Sequence, residues 1–486
     1  MPKFTLLWTD AFILGLAVAL CVYAIHVARR PNLRRVWSTV AADAPAMCAS
    51  VILTVFFLVA VLDSIHYRPV IPPQEGEVAS ETKYSPVVRS VLDDLMGLTR
   101  MGSPENTYSA PLSLYQFTKE TQWVNGEAQR VYPRLLNAGL GLQNDEQRAE
   151  DIQARVLQGL LFGAVAAVLL AVLLTLAHWR ASGSIWRAWL SWWRAESGIR
   201  WRAIWLTWLL LCLIAGVGLA LAGNYHVLGT DRTGNDVLGL SLKGLRTAWV
   251  IGTLTTLAML PPALLFGISA GYFKGRVDDV IQYVYTTLTS IPGVLLIAAC
   301  VLMMQVYIDT HPDLFPTMAA RADLRLFLLC VILGLTGWAG LCRMLRAETL
   351  KLRELEYVQA AKAFGVSHLR IMLRHLLPNL MHIVLITAAL EFSGLVLYEA
   401  VLSYLGIGVD PATPSFGTMI DAARLEMARD PMIWWSLLAA FTFMLALVLS
   451  ANLFADAVQR AFDPRARRIR GRSVLRSRKQ QVKGAA

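Results

Sequence analysis

The chain has 486 residues, a formal net charge of +11, 56% hydrophobic and 16% charged residues, and a mean hydropathy of +0.50. That balance excludes a soluble globular protein and points to an integral membrane protein. Its apolar runs are continuous rather than alternating over about ten residues, which excludes transmembrane β-strands and predicts an all-α polytopic fold.

A helix rising 1.5 Å per residue needs about 20 apolar residues to cross roughly 30 Å of hydrocarbon. Nine segments reach that length, near 11–28, 46–63, 156–178, 203–223, 247–271, 281–308, 326–343, 379–405 and 432–456. Only Lys3 precedes the first, and an arginine cluster follows it, so it reads as a retained span rather than a cleaved signal. Arg29, Arg30, Arg34 and Arg35 come after the first segment, and Arg180, Arg187, Arg194, Arg200 and Arg202 lie between the third and fourth. Counted alternately, these clusters, the 356–379 region and the basic tail all fall on one side, which the positive-inside rule makes the cytoplasm. The N-terminus and the polar stretch after the second span then face outward, and the C-terminus faces the cytoplasm.

That outer stretch is proline-rich, carries mixed charge and contains no cysteine. It reads as a small extracytoplasmic insert, a spacer or packing element, with partner docking as the alternative. Its last part, "NDEQRAEDIQARVLQGLL", predicts a helix that runs into the third span. The six cysteines lie in or beside apolar segments without metal-ligand spacing, so neither disulfides nor a metal site is expected. His226, His368, His375 and His382 read as structural. The basic tail next to the last span suits anionic headgroups better than nucleic acid.

Between the seventh and eighth spans the sequence turns polar. "MLRAETLKLRELEYVQAAKAF" consists of good helix formers, Gly365 can take the left-handed position that ends such a helix, and Ser367 can cap a second one, "HLRIMLRHLL", that stops at Pro378. Ala360 and Ala361 allow a close approach, and Leu369, Met372, Leu373 and Leu376 form an apolar stripe. The pattern describes a docking knob outside the bilayer, or an amphipathic loop resting on headgroups. In the eighth span Glu391 and Glu399 lie eight residues apart on one face and must point into the bundle, as translocation-path candidates or as members of buried pairs. "GTDRTGND" (229–236) lacks the glutamate that closes a calcium-binding EF-hand loop. No phosphate-binding G-x-x-x-x-G-K-[ST] occurs, so any ATP hydrolysis belongs to another protein.

"QAAKAFG" followed by "HLLP" resembles the cytoplasmic EAA signature of ABC-importer permeases. "HVLGTDRTGNDVLGLSLKGLRTA", "AGYFKGRVDDVI", "LEFSGLVLYEAVLSYLGIGVDPATPSFGTMI" and "FDPRAR" look like the dipeptide, oligopeptide and nickel permeases, in particular the second of the pair. The resemblance implies a type I permease core of six helices at 200–468, with coupling helices at 355–378. It leaves two extra spans at 1–63, a periplasmic insert at 64–152, a third extra span and basic cytoplasmic linker at 153–199, and a tail at 469–486. It implies that Gln359, Ala360, Ala361, Gly365, Leu377 and Pro378 meet an ATPase subunit, with Gln359 standing where glutamate is usual. Gly229, Thr230, Asp231, Asp236, Pro411 and Pro414 become candidate contacts for a substrate-loaded binding protein. The implied assembly, in a bacterial inner membrane, is a heterodimer with a second permease and two ATP-binding subunits holding ATP and Mg, fed by a periplasmic substrate-binding protein. The solute would be a peptide, or else nickel or another small molecule. A secondary transporter would show inverted repeats with glycine-broken spans, which the sequence lacks, and a membrane enzyme would place its activity in the insert.

Overall fold

The computed structural model describes residues 3–71, 84–99, 101–124, 127–142, 146–182, 199–311 and 317–462. Most of the basic linker, including Arg187 and Arg194, and the tail 469–486 lie outside the described residues. The chain opens with α1 (Trp8–Arg29), α2 (Pro31–Ala41) and α3 (Ala44–Asp63). The insert carries α4 (Val91–Leu98), and α5 (Gln147–Ser182) rises from its end as one continuous helix, as the sequence predicts. There follow α6 (Trp201–Ala222), α7 (Val237–Phe273), α8 (Arg276–Ser290), α9 (Gly293–Thr310), α10 (Met318–Gly337) and α11 (Ala339–Arg353). The remainder is α12 (Glu356–Ala363), α13 (His368–Ile371), α14 (Leu377–Tyr404), α15 (Phe416–Glu426) and α16 (Trp435–Phe462). Among the described residues, eight helices are long and apolar enough to cross a membrane, or up to nine counting the bent α10–α11 pair as one span.

Three predicted segments take a different shape. The run 281–308 is two helices, because Pro292 cannot donate to a helix and Ile291 before it is extended (φ −83°, ψ 132°). The seventh span bends by 41° between α10 and α11. The second short helix does not stop at Pro378: His368–Tyr404 is continuous, with a π-helical turn at Met372–Leu376. There the Leu377 amide reaches back to the Met372 carbonyl, and the wider turn makes room for the proline ring. Helix α7 starts ten residues before the predicted segment because Asp236 caps it, Oδ1 accepting from Leu238 N at 2.9 Å and Gly239 N at 3.2 Å.

The extra helices pack directly on the rest. Helix α5 lies on α6 through glycines: a Cβ at Gly159 would sit 2.6 Å from Val217 Cα, and one at Gly163 2.4 Å from the Cys212 carbonyl oxygen. Helix α3 touches α6, α7 and α16, and α1 touches α10. A buried charge cluster ties these elements together. Arg246 Nη2 lies 2.6 Å from Asp10 Oδ1 and 3.3 Å from Asp323 Oδ1, His66 Nδ1 is 2.8 Å from Asp10 Oδ2, and Thr9 N donates to Asp323 Oδ2 at 3.1 Å.

The N-terminal strand β1 (Lys3–Phe4) joins β2 (His66–Arg68) and β3 (Arg89–Ser90) of the insert in an antiparallel sheet, which sets the N-terminus on the same side as the insert. The hairpin β4 (Glu120–Val124) and β5 (Glu127–Val131) pairs Glu120 with Val131. One buried apolar cluster beneath the insert includes Leu245, Phe392, Phe416 and Trp435. Another, at the opposite end of the bundle, includes Leu341, Leu345, Val358, Ile371 and Leu376.

Candidate coupling segment and outer face

The predicted knob is present and braced. Helix α12 ends in a Schellman turn: Val366 N donates to Ala361 O at 3.1 Å and Gly365 N to Lys362 O at 3.0 Å, with Gly365 at φ +73°. Ser367 holds the N-cap position of α13 without a side-chain cap bond. Val358, Ile371 and Leu376 anchor the knob in the cluster with Leu341 and Leu345. Ion pairs and hydrogen bonds tie it to the end of α7, with Tyr272 Oη 2.8 Å from His368 Nδ1 and Lys274 Nζ 2.9 Å from Glu354 Oε1. Arg346 grips Asp278 at 2.5 and 2.7 Å and holds its carboxyl below the usual range.

Gln359 is exposed, donates to Arg353 O at 3.0 Å, and lines a small hollow with Tyr272, Lys362 and His368. Ala360 and Pro378 are exposed; Ala361 and Leu377 are half-buried. The predicted apolar stripe is corrected. Leu376 is buried and Met372 half-buried, while Leu369 and Leu373 face outward at 64% and 55% exposure. An i, i+4 count selects Leu369, Leu373 and Met372, but the π turn adds a residue and puts Ile371 and Leu376, five apart, on the packed face. Phe364, 87% exposed beside Gly365, is the largest apolar group at the tip and was not singled out by the sequence reading. An aromatic residue immediately before a left-handed glycine was its signal.

Within the span the two glutamates part company. Glu399 is buried, and its Oε1 accepts from Ser403 Oγ at 2.7 Å and Ser415 Oγ at 2.9 Å, which pins α14 to the start of α15. A Cβ at Gly417 would meet the same oxygen at 2.7 Å, so no solute reaches it in this conformation. Glu391 is half-buried and has no hydrogen-bond or ion-pair partner among the described residues. Another polar surface emerges on α8, where Asp279, Gln282, Tyr283, Thr286, Thr287 and Ser290 line an open concavity. Reading 281–308 as one apolar span hid this stripe, although its recurrence at three and four residues was the visible signal.

On the outer side the insert covers much of 229–236, so three of the candidate contacts there, Gly229, Thr230 and Asp236, are buried. Gly229 is buried at φ +72°, and a Cβ there would lie 2.4 Å from Ser109 O. Thr230 is buried: Oγ1 accepts from Ser109 N at 2.7 Å, and its carbonyl accepts from Trp435 Nε1 at 2.9 Å. Asp236 is also buried, 2.8 Å from His226 Nδ1. Asp231 stays partly exposed and folds its own loop, accepting from Thr233 N at 2.9 Å and Asn235 N at 2.8 Å. Pro411 is exposed; Pro414 is half-buried and its carbonyl accepts from Thr247 Oγ1 at 2.7 Å.

His226 is the hinge pin of this contact, with Nε2 3.4 Å from Glu105 Oε1 of the insert. Burial alone would lower its pKa; the hydrogen bonds it donates to Asp236 and Glu105, with their charges, outweigh that and raise it to about 9. Burial tends to raise Glu105, but His226 and the Leu136 and Asn137 amides hold it below the usual carboxylate range. Tyr108 is buried and donates to Glu426, and both groups are pushed up, first by burial. Phe117 packs edge-on against Trp435 at 5.1 Å.

Residues 263–468 match the family described as binding-protein-dependent transport system inner membrane component. The oligopeptide transport system permease protein OppC of Mycobacterium tuberculosis (strain ATCC 25618 / H37Rv) is 31% identical over 248 residues, covering 51% of this chain and 79% of the relative. The di/tripeptide transport system permease protein DppC of Pseudomonas aeruginosa is 32% identical over 239 residues, 49% of this chain and 72% of the relative. For the peptidoglycan transport system permease protein YejE of Agrobacterium fabrum the identity is 35% over 246 residues, 50% of this chain and 58% of the relative. With six spanning segments from α6 onward, a braced polar knob before α14 and this likeness over about half its length, the chain belongs to the family of binding-protein-dependent transport system inner membrane components.

Proposed function

We propose that this chain is the permease subunit of an ATP-driven importer of peptides or peptide-like solutes, and that it carries no catalytic residue itself. The observation that supports this most is the knob at 356–366: rigid at its base, apolar at its tip, and joined to the ends of α7, α11 and α14. An exposed phenylalanine on a braced short helix needs a partner, and a cleft in an ATP-binding subunit is the one the family uses. Two such subunits, holding ATP and Mg, and a second permease complete the assembly in a bacterial inner membrane. Movement of the knob would pass into α14 through the π turn and into α7 through Tyr272 and Lys274, shifting the bundle between inward-open and outward-open states. Glu391, half-buried on a spanning helix without a partner among the described residues, favours a water-filled path shared with the second permease, and the polar concavity on α8 is a second candidate surface for it. A periplasmic binding protein would land on the exposed parts of 231–235, Pro411 and the insert.

Copurification from the native host tests the assembly. Two ATP-binding subunits and a second permease are expected, with a peptide-binding protein stimulating ATP hydrolysis. A chain that purifies without any ATPase, and moves solute without ATP, would refute the reading.

A further inference from the structure

We propose that the corner formed by the end of α1 and helix α2 binds the headgroup of an anionic phospholipid. The inference does not depend on what the protein transports. Arg29 ends α1, Arg30 makes the turn, and Arg34 and Arg35 stand on the outward face of α2; all four are exposed, and none pairs with an acidic side chain among the described residues. Asp43, the acid next along the chain, is already held by Arg460 at 2.6 Å. At the other end of α2, Arg200 just before α6 donates from its backbone N to Ala41 O at 3.1 Å and from Nε to Ala42 O at 3.2 Å, which fixes that end of the helix. Several guanidinium groups gathered in one place repel one another unless an anion lies among them, and their planar donor fork fits phosphate oxygens.

The position selects a lipid as that anion. Val18, Val22 and Ile25 on α1 are exposed by 54 to 63% and lead straight to Arg29, an apolar track continuous with a cationic end. Helix α2 is held in place from inside by Val36 and Val40, and Trp37 packs on Phe454 and Phe462 while its Nε1 donates to Tyr23 Oη at 3.1 Å. An indole and a phenol bonded to each other at this level mark a headgroup boundary. Free phosphate offers the same oxygens but leaves the track uncovered.

Trp37 provides the probe. The full-length chain would be placed in nanodiscs of neutral phosphatidylcholine containing a small fixed fraction of lipid with brominated acyl chains, either phosphatidylglycerol or phosphatidylcholine. Subtraction of the Trp37→Phe protein isolates the Trp37 fluorescence. Quenching is expected to be several-fold stronger with the anionic lipid, and the preference for it should fall by roughly 25-fold in Arg34→Gln/Arg35→Gln, enough to erase the excess, since each basic residue near an anionic surface adds roughly fivefold. Arg34→Lys/Arg35→Lys should keep part of it. Equal quenching by the two lipids in the wild-type protein overturns the proposal whatever the variants do. So does an excess untouched by the Gln pair, and so does its removal by millimolar inorganic phosphate, which would assign the corner to a free anion.

Discussion

Replacing His226 by Gln should loosen the insert from the outer face while leaving the rest of the bundle folded. In the wild-type protein the imidazolium sits between Asp236 at 2.8 Å and Glu105 at 3.4 Å, nearly excluded from solvent. The rise of its pKa from 6.5 to about 9 corresponds to about 3 kcal/mol of preference for the docked state. Because the docked value is the higher one, this contribution is complete below 6.5 and disappears as pH climbs through about 9. Glu105, held below 4.5 when docked, acts in the opposite sense and loses its share as the solution is acidified past that value. Attachment is therefore strongest from about pH 4.5 to 6.5 and weakest in alkali. Hydrogen exchange of residues 104–117 in the purified chain reads it directly, with 356–366 as an internal reference. At pH 7 the variant should open roughly a hundredfold more often than the wild type, and above pH 9 the two should converge. Protection that stays within about threefold between variant and wild type, or that is flat from pH 7 to 10 after correction for intrinsic rates, would show that the clamp does not hold the insert.

Arg246→Met should destabilise by about 3–5 kcal/mol in detergent unfolding, because Asp10 and Asp323 are left buried without their cation. Adding Asp10→Asn and Asp323→Asn should recover most of that loss, and a triple variant no better than the single one would contradict the cluster. Gly163→Val forces α5 off α6 and should lower the thermal midpoint clearly, whereas Gly218→Ala, where a Cβ meets nothing within 4 Å, should be silent. Gly365→Ala costs about 1 kcal/mol for the left-handed backbone but meets no neighbour, so solute-stimulated ATP hydrolysis in the assembled complex should fall only a few-fold. Phe364→Glu should abolish that stimulation with assembly intact; stimulation as in the wild type would remove the exposed ring from the docking contact.

Much of the fold was legible because the bilayer imposes a length. Each of the nine predicted segments overlaps a helix, and the Schellman turn at Gly365 follows from a run of helix formers ending in glycine. Local chemistry also announced the uninterrupted passage from the insert into α5. What stayed hidden depends on contacts distant in sequence or on a change of helical period. No periodicity rule anticipates the π turn at Met372–Leu376, which decides whether Leu373 or Ile371 is buried. Thr230 and Asp236 look like surface turn residues until Ser109 and Glu105, more than a hundred positions away, are laid over them. The glutamates eight apart had the right spacing to act together, but Ser403 and Ser415 claim one and leave the other open.

The ring of acids around Arg246 shows that the N-terminal third is no detachable ornament. Two of the carboxylates that face it, Asp10 and Asp63, come from α1 and α3, and Asp323 alone comes from the half shared with the peptide permeases. A chain begun at Trp201 would leave that guanidinium with Asp323 as its one remaining carboxylate among these three, so the added helices supply most of the countercharge for an arginine of the very bundle they decorate.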